Sequence, residues 1–351
     1  MQKLKETINA IKPPDEGAMA QARRRLDSLT KPQGSLGRLE EIAVKIAGIT
    51  GKGIPDVPRK LSILMAADHG VVEEGVSAFP QEVTVEMLEN FLNGGAAMNV
   101  LSRQVGSDLW VVDIGVKEDI SDKKGVMHMK VASGTNNMAC GPAMSRSNAV
   151  KALETGISLA TKAEDKGYGL IGTGEMGIGN TTASAAVICA FSGLSPHEVV
   201  GAGTGLGEDG VRHKTEVIQR ALDVNKPHPD DPLDVLSKVG GLEIAGLAGV
   251  FLGCAAERKP VLIDGIISGA AALTAYKMSS LSGEYMLASH LSAEKGQKVA
   301  LNMMGLQPLF NFDMRLGEGT GAALAMGIVD ASINIIRDMA TFAEAGVSEG
   351  E

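Results

Sequence analysis

The sequence is poor in the features that mark several large classes of protein. Its 351 residues hold only three cysteines, Cys140, Cys189 and Cys254, and no CxxC pair, which argues against a zinc ribbon or a disulfide framework. Aromatic side chains make up 3% of the chain, too few for a platform that stacks nucleic-acid bases. Basic residues are outnumbered, 33 to 42, and the net charge of −9 argues against sequence-independent binding to DNA or RNA.

Long apolar segments are also missing. The charged segment Met1–Glu16 lacks the apolar centre of a signal peptide. No run of about 18 uninterrupted apolar residues predicts a membrane span. We therefore expect a protein without a membrane span, in the reducing environment of the cytoplasm.

Glycine, in contrast, is abundant. The chain holds 44 glycines, which cluster inside apolar stretches and follow no fixed Gly-X-Y period. This placement is typical of tight turns and close backbone approaches rather than of a flexible linker or a collagen helix.

Short apolar runs alternate with helical patterns after residue 60. Runs that predict buried strands lie at Leu61–Ala66, Leu109–Ile114, Leu170–Thr173, Val199–Ala202, Pro260–Ile263 and Tyr285–Ser289. Apolar residues at three- and four-residue spacing predict helices at Ala18–Leu29, Leu36–Ile49, Val83–Leu92, Asn148–Asp165, Thr215–Leu222 and Thr320–Ala345. The alternation predicts an α/β fold, with a mostly parallel sheet that helices cover on both faces.

Ligands of such sheets bind beyond the carboxyl ends of the strands, and a glycine-rich segment follows one predicted strand there. In Gly172–Thr182 a strand runs into glycines, and Asn180 and Thr181 then open an apolar helix. Backbone N–H groups at such a helix start can hold a phosphate, although a tight strand-to-helix turn explains the same pattern. Glu175 favours a site, because a carboxylate in an anion-binding loop suggests a cationic ligand nearby.

A second glycine-rich segment, Gly201–Gly207, has the texture of a dinucleotide loop but fails the GxGxxG spacing at Leu206. Lys214 follows it and could offer a point charge to a phosphate, or could be a solvated helix residue.

A third segment, Leu316–Ala322, places Glu318 between Gly317 and Gly319 before a helix. The glycines let backbone and carboxylate approach a ligand closely, and apolar neighbours could raise the carboxyl pKa and make Glu318 a general base. A solvated turn glutamate is the alternative.

Two further clusters end predicted strands. Asp68 and His69 lack further ligands of suitable spacing for a metal, so a hydrogen-bonded pocket role is expected for His69. The segments Asp264–Gly269 and Ser289–Gln297 carry small polar residues suited to ribose or phosphate contacts, or to ordinary turn chemistry.

Taken together, these segments resemble the nicotinate-nucleotide–dimethylbenzimidazole phosphoribosyltransferases of the cobalamin nucleotide-loop pathway. The matching segments follow one another along almost the whole chain: Lys31–Gly37, Ala67–Val71, Gly94–Ala97, Gly174–Thr182, Gly201–Gly205, Ser289–Ser292 and Gly317–Ala322. The resemblance implies a homodimer with a large Rossmann-like domain at residues 60–319. It also implies a small helical domain from residues 1–59 and 320–351.

The resemblance also implies a reaction and its site. Nicotinate mononucleotide and 5,6-dimethylbenzimidazole would give α-ribazole 5′-phosphate and nicotinate, with inversion at the anomeric carbon and with no metal or cofactor. Glu318 would be the catalytic base and Glu175 a second active-site glutamate. The implied substrate-binding residues are Gly177, Ile178, Gly179, Lys214 and Ser292 for the phosphate and, within the base-binding wall Ser77–Glu86, Ser77, Phe79 and Glu86.

Two other classes compete with this interpretation. Phosphoribosyltransferases that use a pyrophosphate donor carry two acids after four apolar residues, whereas Val261–Gly265 contains only Asp264. A non-catalytic nucleotide-binding or corrinoid-scaffold protein would not need two carboxylates framed by glycines.

Overall fold

The computed structural model describes residues 1–201, 203 and 205–348 of the chain. Its core is one six-stranded sheet in which all neighbouring strands run parallel. The strands are β1 (Lys60–Ala67), β2 (Ser107–Gly115), β3 (Val126–His128), β4 (Leu170–Met176), β5 (Val261–Ile263) and β6 (Met286–Ala288). The predicted α/β class with a parallel sheet is thus confirmed.

Helices surround this sheet and make up most of the remaining chain. They are α1 (Gln2–Ala10), α2 (Glu16–Asp27), α3 (Arg38–Thr50), α4 (Val83–Leu92), α5 (Ala97–Val105), α6 (Arg146–Asp165), α7 (Asn180–Ser192), α8 (Pro196–Val199), α9 (Glu208–Asn225), α10 (Pro232–Val239), α11 (Leu242–Ala256), α12 (Ile266–Met278), α13 (Lys295–Met303), α14 (Thr320–Asp338) and α15 (Phe342–Ala345). No helix among the described residues is long and apolar enough to cross a membrane.

Most predicted elements occur where the sequence places them, but one predicted strand is wrong and one observed strand was not predicted. The predicted helix Thr320–Ala345 also ends at Asp338 and is followed by the short helix α15. The predicted strand Val199–Ala202 is wrong, because Val199 ends the short helix α8, whose start is Pro196. Ala202 itself lies outside the described residues. Strand β3 has no counterpart among the predictions, since it is only three residues long and lies at the sheet edge behind a charged loop.

The spatial order of the strands is β3-β2-β1-β4-β5-β6. The chain therefore builds outward from β1 in one direction and then returns to β1 to build outward in the other. Neighbouring strands β1 and β4 form the topological switch point, where open parallel sheets bind their ligands beyond the carboxyl ends. The fold thus directs attention to the loops after Ala67 and Met176.

Two helices packed on the sheet approach each other so closely that glycines are required. A Cβ atom on Gly156 of α6 would lie 1.8 Å from the carbonyl oxygen of Gly246 in α11. A Cβ on Gly249 would lie 2.0 Å from the carbonyl oxygen of Leu153. Much of the glycine content thus serves close packing in the core, as its placement in apolar stretches indicates.

Helices from both ends of the chain pack together. Leu26 of α2, Ala47 of α3 and Ile336 of α14 share one buried cluster. Helix α14 also packs on the sheet through Met326, which shares a second cluster with Leu262 of β5. The division into a domain of residues 60–319 and a smaller one of residues 1–59 and 320–351 stays a proposal, and residues 349–351 lie outside the described part.

Candidate active site

A cavity of about 580 Å³ opens at the carboxyl edge of the sheet, beside the switch point. Its size lies within the range of about 300–1,000 Å³ that small-molecule sites occupy. Its lining residues are Phe79, Val83, Met87, Glu175, Met176, Gly177, Ile178, Asn180, Thr181, Gly203, Gly265, Ile266, Ile267, Ser292, Glu294, Arg315, Leu316, Gly317 and Glu318.

Glu175 lies at the end of β4 and is 6% exposed. Its carboxylate accepts hydrogen bonds from the Asn180 side chain and, at 3.3 Å, from the backbone N–H of Glu318. Burial, together with the negative charge of Asp264, raises the pKa of Glu175 to about 8. Its proton is therefore held near neutral pH unless positive charge enters the cavity.

Glu318 stands in a turn of unusual backbone geometry. Gly317, Glu318 and Gly319 have φ angles of 81°, 62° and 89°, all in the left-handed region. A non-glycine residue in this region is uncommon, and such strain concentrates at functional sites. Burial and the charge of Asp264 raise the pKa of Glu318 to about 7. A carboxylate with a pKa near 7 suits a general base at neutral pH.

The two glutamates belong to one packed unit. A Cβ on Gly174 would lie 2.5 Å from the carbonyl oxygen of Glu318, and a Cβ on Gly317 would lie 2.5 Å from Oε1 of Glu175. Glycine at both positions therefore lets the turn lie directly on the end of β4. The fold brings together two carboxylates that are 143 residues apart in the chain.

The loop Gly177–Gly179 lies between β4 and α7, as predicted for a phosphate-binding loop. Gly177 and Ile178 line the cavity, but the N–H of Ile178 already donates to the Thr84 hydroxyl at 3.1 Å. Gly179 caps α7 with φ 91° and packs toward His69 and Val72 rather than forming part of the described lining.

Lys214 lies inside α9 and not in a loop before a helix. It is 1% exposed, and its Nζ donates to the hydroxyl of Thr181 at 2.8 Å. Burial lowers the pKa of Lys214 to about 8, against the opposing influence of Glu294. Among the described residues it is Thr181, rather than Lys214, that lines the cavity, so the ammonium group lies just behind the wall.

The predicted base-binding wall contributes only in part. Phe79 lines the cavity together with Val83 and Met87, which lie one turn apart on α4. Ser77 is outside the described lining, and its hydroxyl accepts the N–H of Phe79 at 3.2 Å. Glu86 is exposed and also outside that lining. The wall that faces the cavity here is therefore apolar.

Another part of the lining is polar. The predicted residue Ser292 lies here, with its hydroxyl 3.3 Å from the backbone nitrogen of Glu294. Arg315 joins it, a residue that the sequence did not single out, and no salt bridge engages its guanidinium group in the described part of the chain. The sequence signal that could have identified Arg315 is its position two residues before Gly317.

His69 and Asp264 lie behind the cavity. His69 follows β1, and its Nε2 lies 2.7 Å from Oε1 of Glu243, as expected for a hydrogen-bonded pocket histidine. The Asp264 carboxylate contacts backbone N–H groups of the Gly319 region instead of facing the cavity. Within the residues described, no group of three or more His, Cys, Asp or Glu side chains is arranged to hold a metal ion.

Comparisons with known proteins show similarity to one family over almost the whole chain. A family model described as "Phosphoribosyltransferase" (DBI_PRT) matches residues 11–347. The chain is 56% identical to the nicotinate-nucleotide–dimethylbenzimidazole phosphoribosyltransferase of Desulforamulus reducens, over 99% of each chain. It is 54% identical to that of Geobacter sulfurreducens, again over 99% of each. The crystal structure of CobT from Thermus thermophilus superposes with a TM-score of 0.91, at 46% identity, covering 95% of this chain and 100% of that one.

Proposed function

The chain belongs to the phosphoribosyltransferase family whose model spans it, and we propose that it transfers the phosphoribosyl group of nicotinate mononucleotide to 5,6-dimethylbenzimidazole. The products would be α-ribazole 5′-phosphate and nicotinate, for the lower nucleotide loop of cobalamin. The observation that carries the proposal is the pair Glu175 and Glu318, two buried carboxylates that line one cavity and that no salt bridge joins to a cationic side chain within the described residues.

The charge of the substrate explains why these carboxylates are left unpaired. In nicotinate mononucleotide the pyridine nitrogen is cationic, and positive charge passes to the ribose ring as the glycosidic bond breaks. A carboxylate such as Glu175 stabilises that charge, and the charge in turn lowers the pKa of Glu175. The site is therefore complete only when the cationic donor is bound.

Glu318 supplies the base for the acceptor. One ring nitrogen of dimethylbenzimidazole forms the new bond to C1′, while the N–H on the other nitrogen gives its proton to Glu318. The bond from C1′ to nicotinate breaks, and its electron pair leaves with the pyridine nitrogen. Attack on the face opposite the leaving group converts the β-nucleotide into the α-product, so the transfer inverts C1′.

The two ends of the cavity suit the two substrates. The apolar wall of Phe79, Val83 and Met87 fits the dimethylbenzimidazole ring. The polar end at Thr181, with Lys214 behind it, fits the 5′-phosphate, because a phosphate would stabilise the positive charge of the buried lysine. Ser292 belongs to the same end. The assignment of Gly177, Ile178 and Gly179 to the phosphate stays a prediction, because the N–H of Ile178 is engaged by Thr84 of α4 and Gly179 lies outside the described lining.

The test is incubation of the purified protein with nicotinate mononucleotide and dimethylbenzimidazole, with products identified by mass and by the anomeric proton coupling. We expect α-ribazole 5′-phosphate and an equal amount of nicotinate. A β-product would contradict the inversion, and the absence of turnover would favour the non-catalytic nucleotide-binding alternative.

The same assay tests whether a metal takes part. The reaction contains no pyrophosphate for magnesium to bridge, so we expect the rate to survive exhaustive treatment with EDTA. Loss of activity that magnesium restores would favour a pyrophosphate-type donor chemistry.

The cytoplasmic setting stays a prediction.

We also propose a homodimer, as the family resemblance implies. Large apolar side chains are exposed in the single chain: Leu316 at 56% and Phe79 at 50%, which line the cavity, and Phe312 at 66%. A second copy could cover such surface, whose exposure in water is unfavourable. Light scattering during size-exclusion chromatography would distinguish a dimer from the 36.4 kDa monomer.

A further inference from the structure

We propose that Asp264 is the positioning residue that holds Glu318 in its reactive geometry. The proposal rests on the proposed function, in which Glu318 is the base. Asp264 follows β5, is 1% exposed and lies behind the cavity lining, so it acts through the turn and not on the substrate.

The Asp264 carboxylate holds the start of α14 with both of its oxygens. Oδ2 accepts the N–H of Gly319 at 2.9 Å. Oδ1 accepts the N–H of Gly321 at 2.7 Å and that of Ala322 at 3.2 Å. The N-cap position of α14 is Gly319, which has no side chain to cap the helix, so an aspartate from a distant strand does so instead.

The turn needs such an anchor because its backbone is strained. Left-handed geometry is unfavourable for a non-glycine residue, and it persists only where the surroundings determine it. Glu318, at φ 62°, stands directly before the Gly319 N–H that Asp264 binds. Loss of this anchor would let the turn relax and would move the Glu318 carboxylate.

Asp264 is itself held from several sides. Its backbone N–H donates to the Ser268 hydroxyl at 3.1 Å, and its carbonyl accepts from the Gln297 side chain at 3.0 Å. Nδ1 of His290 lies 3.9 Å from Oδ1. A Cβ at Gly321 would lie 2.9 Å from the same oxygen and 2.0 Å from His290, so this junction is closely packed. The aspartate is therefore a rigid anchor.

Asp264 also acts on Glu318 through its charge. After burial, that charge is the second cause of the raised pKa of Glu318, and likewise of Glu175. Among the described residues, the other charged or titratable groups around the two carboxylates are each other, Glu243, Glu294, His290 and Arg315. Removing the charge of Asp264 would thus lower the pKa of Glu318, and the rate would begin to rise at a lower pH.

The experiment compares two variants that separate geometry from charge. D264N keeps the shape but loses the charge, and its amide NH₂ would oppose a backbone N–H donor. D264E keeps the charge but lengthens the side chain. We expect kcat to fall about 10- to 100-fold in both, as for a displaced catalytic group. We expect the acidic limb of the pH–rate profile to move to lower pH in D264N only.

Asp113 provides a matched control. It is also a 1% exposed aspartate near the end of a strand, and it accepts the N–H of Val116 at 2.9 Å. We expect D113N to alter thermal stability but neither kcat nor the acidic limb. If Asp264 were purely structural, D264N would behave like D113N. A D264N enzyme with wild-type kcat and a wild-type acidic limb of the pH–rate profile therefore overturns the proposal. If D264N does not fold, wild-type kcat in D264E overturns it.

A substrate-free measurement keeps this inference distinct from the proposed function. The ionisation of Glu318 can be followed by the carboxyl infrared absorption that E318Q removes. In D264N this ionisation should occur at lower pH than in the wild type, even if the wild-type protein forms no α-ribazole 5′-phosphate. An unchanged ionisation in folded D264N refutes the coupling, whatever the reaction.

Discussion

Two sets of buried carboxylates lie close together at the carboxyl edge of the sheet, and their partners differ. Glu243 is fully buried, but its Oε1 lies 2.7 Å from Nε2 of His69. Glu175 and Glu318 are also buried, yet no salt bridge joins either to a Lys, Arg or His side chain in residues 1–201, 203 and 205–348. The protein thus compensates the buried acid Glu243 with a histidine, and it leaves Glu175 and Glu318 without such a partner beside an open cavity.

The pKa values follow this difference. Although burial alone would favour neutral imidazole, the neighbouring carboxylates of Glu243 and Asp68 raise the pKa of His69 and so favour its charged form. Burial raises the pKa of Glu175 and Glu318 to about 8 and about 7, and Asp264 adds to the rise. A paired buried charge is typical of structure, whereas an unpaired one in a cavity indicates function.

The largest expected effect is on catalysis, and a matched pair of variants tests it. E318Q should keep the fold but lose about 10²–10⁴-fold in kcat, because the amide cannot accept the benzimidazole proton. E243Q should have the opposite effect. Its free energy of unfolding should fall by about 3 kcal/mol, since His69 loses its partner, while kcat per folded molecule should stay near the wild-type value.

Steady-state kinetics and chemical denaturation of both variants make the comparison. Near-wild-type kcat in E318Q would refute the base assignment. A large loss of kcat in fully folded E243Q would show that the paired carboxylate also belongs to the reaction, and would remove the distinction drawn above.

A smaller effect is expected for the buried lysine beside the cavity. K214A should raise KM for nicotinate mononucleotide about 10- to 100-fold and leave that for dimethylbenzimidazole nearly unchanged, since a hydrogen bond to a charged group contributes roughly 1.5–3 kcal/mol. Lys45 is the control, because burial lowers its pKa to about 8 as well, but its Nζ donates to the Met286 carbonyl at 2.7 Å, away from the cavity.

Initial rates with each substrate varied in turn distinguish the two lysines. K45A should leave both KM values unchanged. If K214A raises KM for dimethylbenzimidazole instead, the phosphate lies elsewhere, and Arg315, which lines the cavity, becomes the next candidate.

The sequence predicted the positions that local chemistry determines. Glycines on both sides of Glu318 indicated an unusual turn, and the φ angles of that turn require them. The apolar runs at Leu61–Ala66 and Leu170–Thr173 predicted two strands that pair at the switch point. Motifs that combine strand ends with glycines are therefore visible without a structure.

Contacts between distant segments were not predictable in the same way. The segment that begins at Asp264 was interpreted as suited to ribose or phosphate contacts or to ordinary turn chemistry. The Asp264 carboxylate instead binds the start of α14, more than 50 residues later in the chain. Lys214 lies within a helix that begins seven residues earlier than predicted, at Glu208. The contacts of Asp264 with α14 and of Lys214 with Thr181 depend on tertiary packing, and tertiary packing leaves no local signal in the sequence.

The smallest expected effect is on the free energy of unfolding, and it concerns Glu175, one of the acids without a cationic partner. The pKa of Glu175 is raised from 4.5 to about 8 in the folded protein. Between these pH values the unfolded chain releases this proton while the folded chain retains it, so the wild type loses stability as pH rises through the window. E175Q cannot lose a proton there, and its glutamine resembles the protonated acid. It should therefore match the wild type near pH 4 and exceed it at pH 8 by at least about 1 kcal/mol. Urea unfolding at both pH values measures the difference, and saturating nicotinate mononucleotide should reduce the advantage because its positive charge compensates Glu175. An equal stability of the two proteins at pH 8 would mean that Glu175 is already compensated in the empty cavity, and that the contrast with Glu243 does not hold.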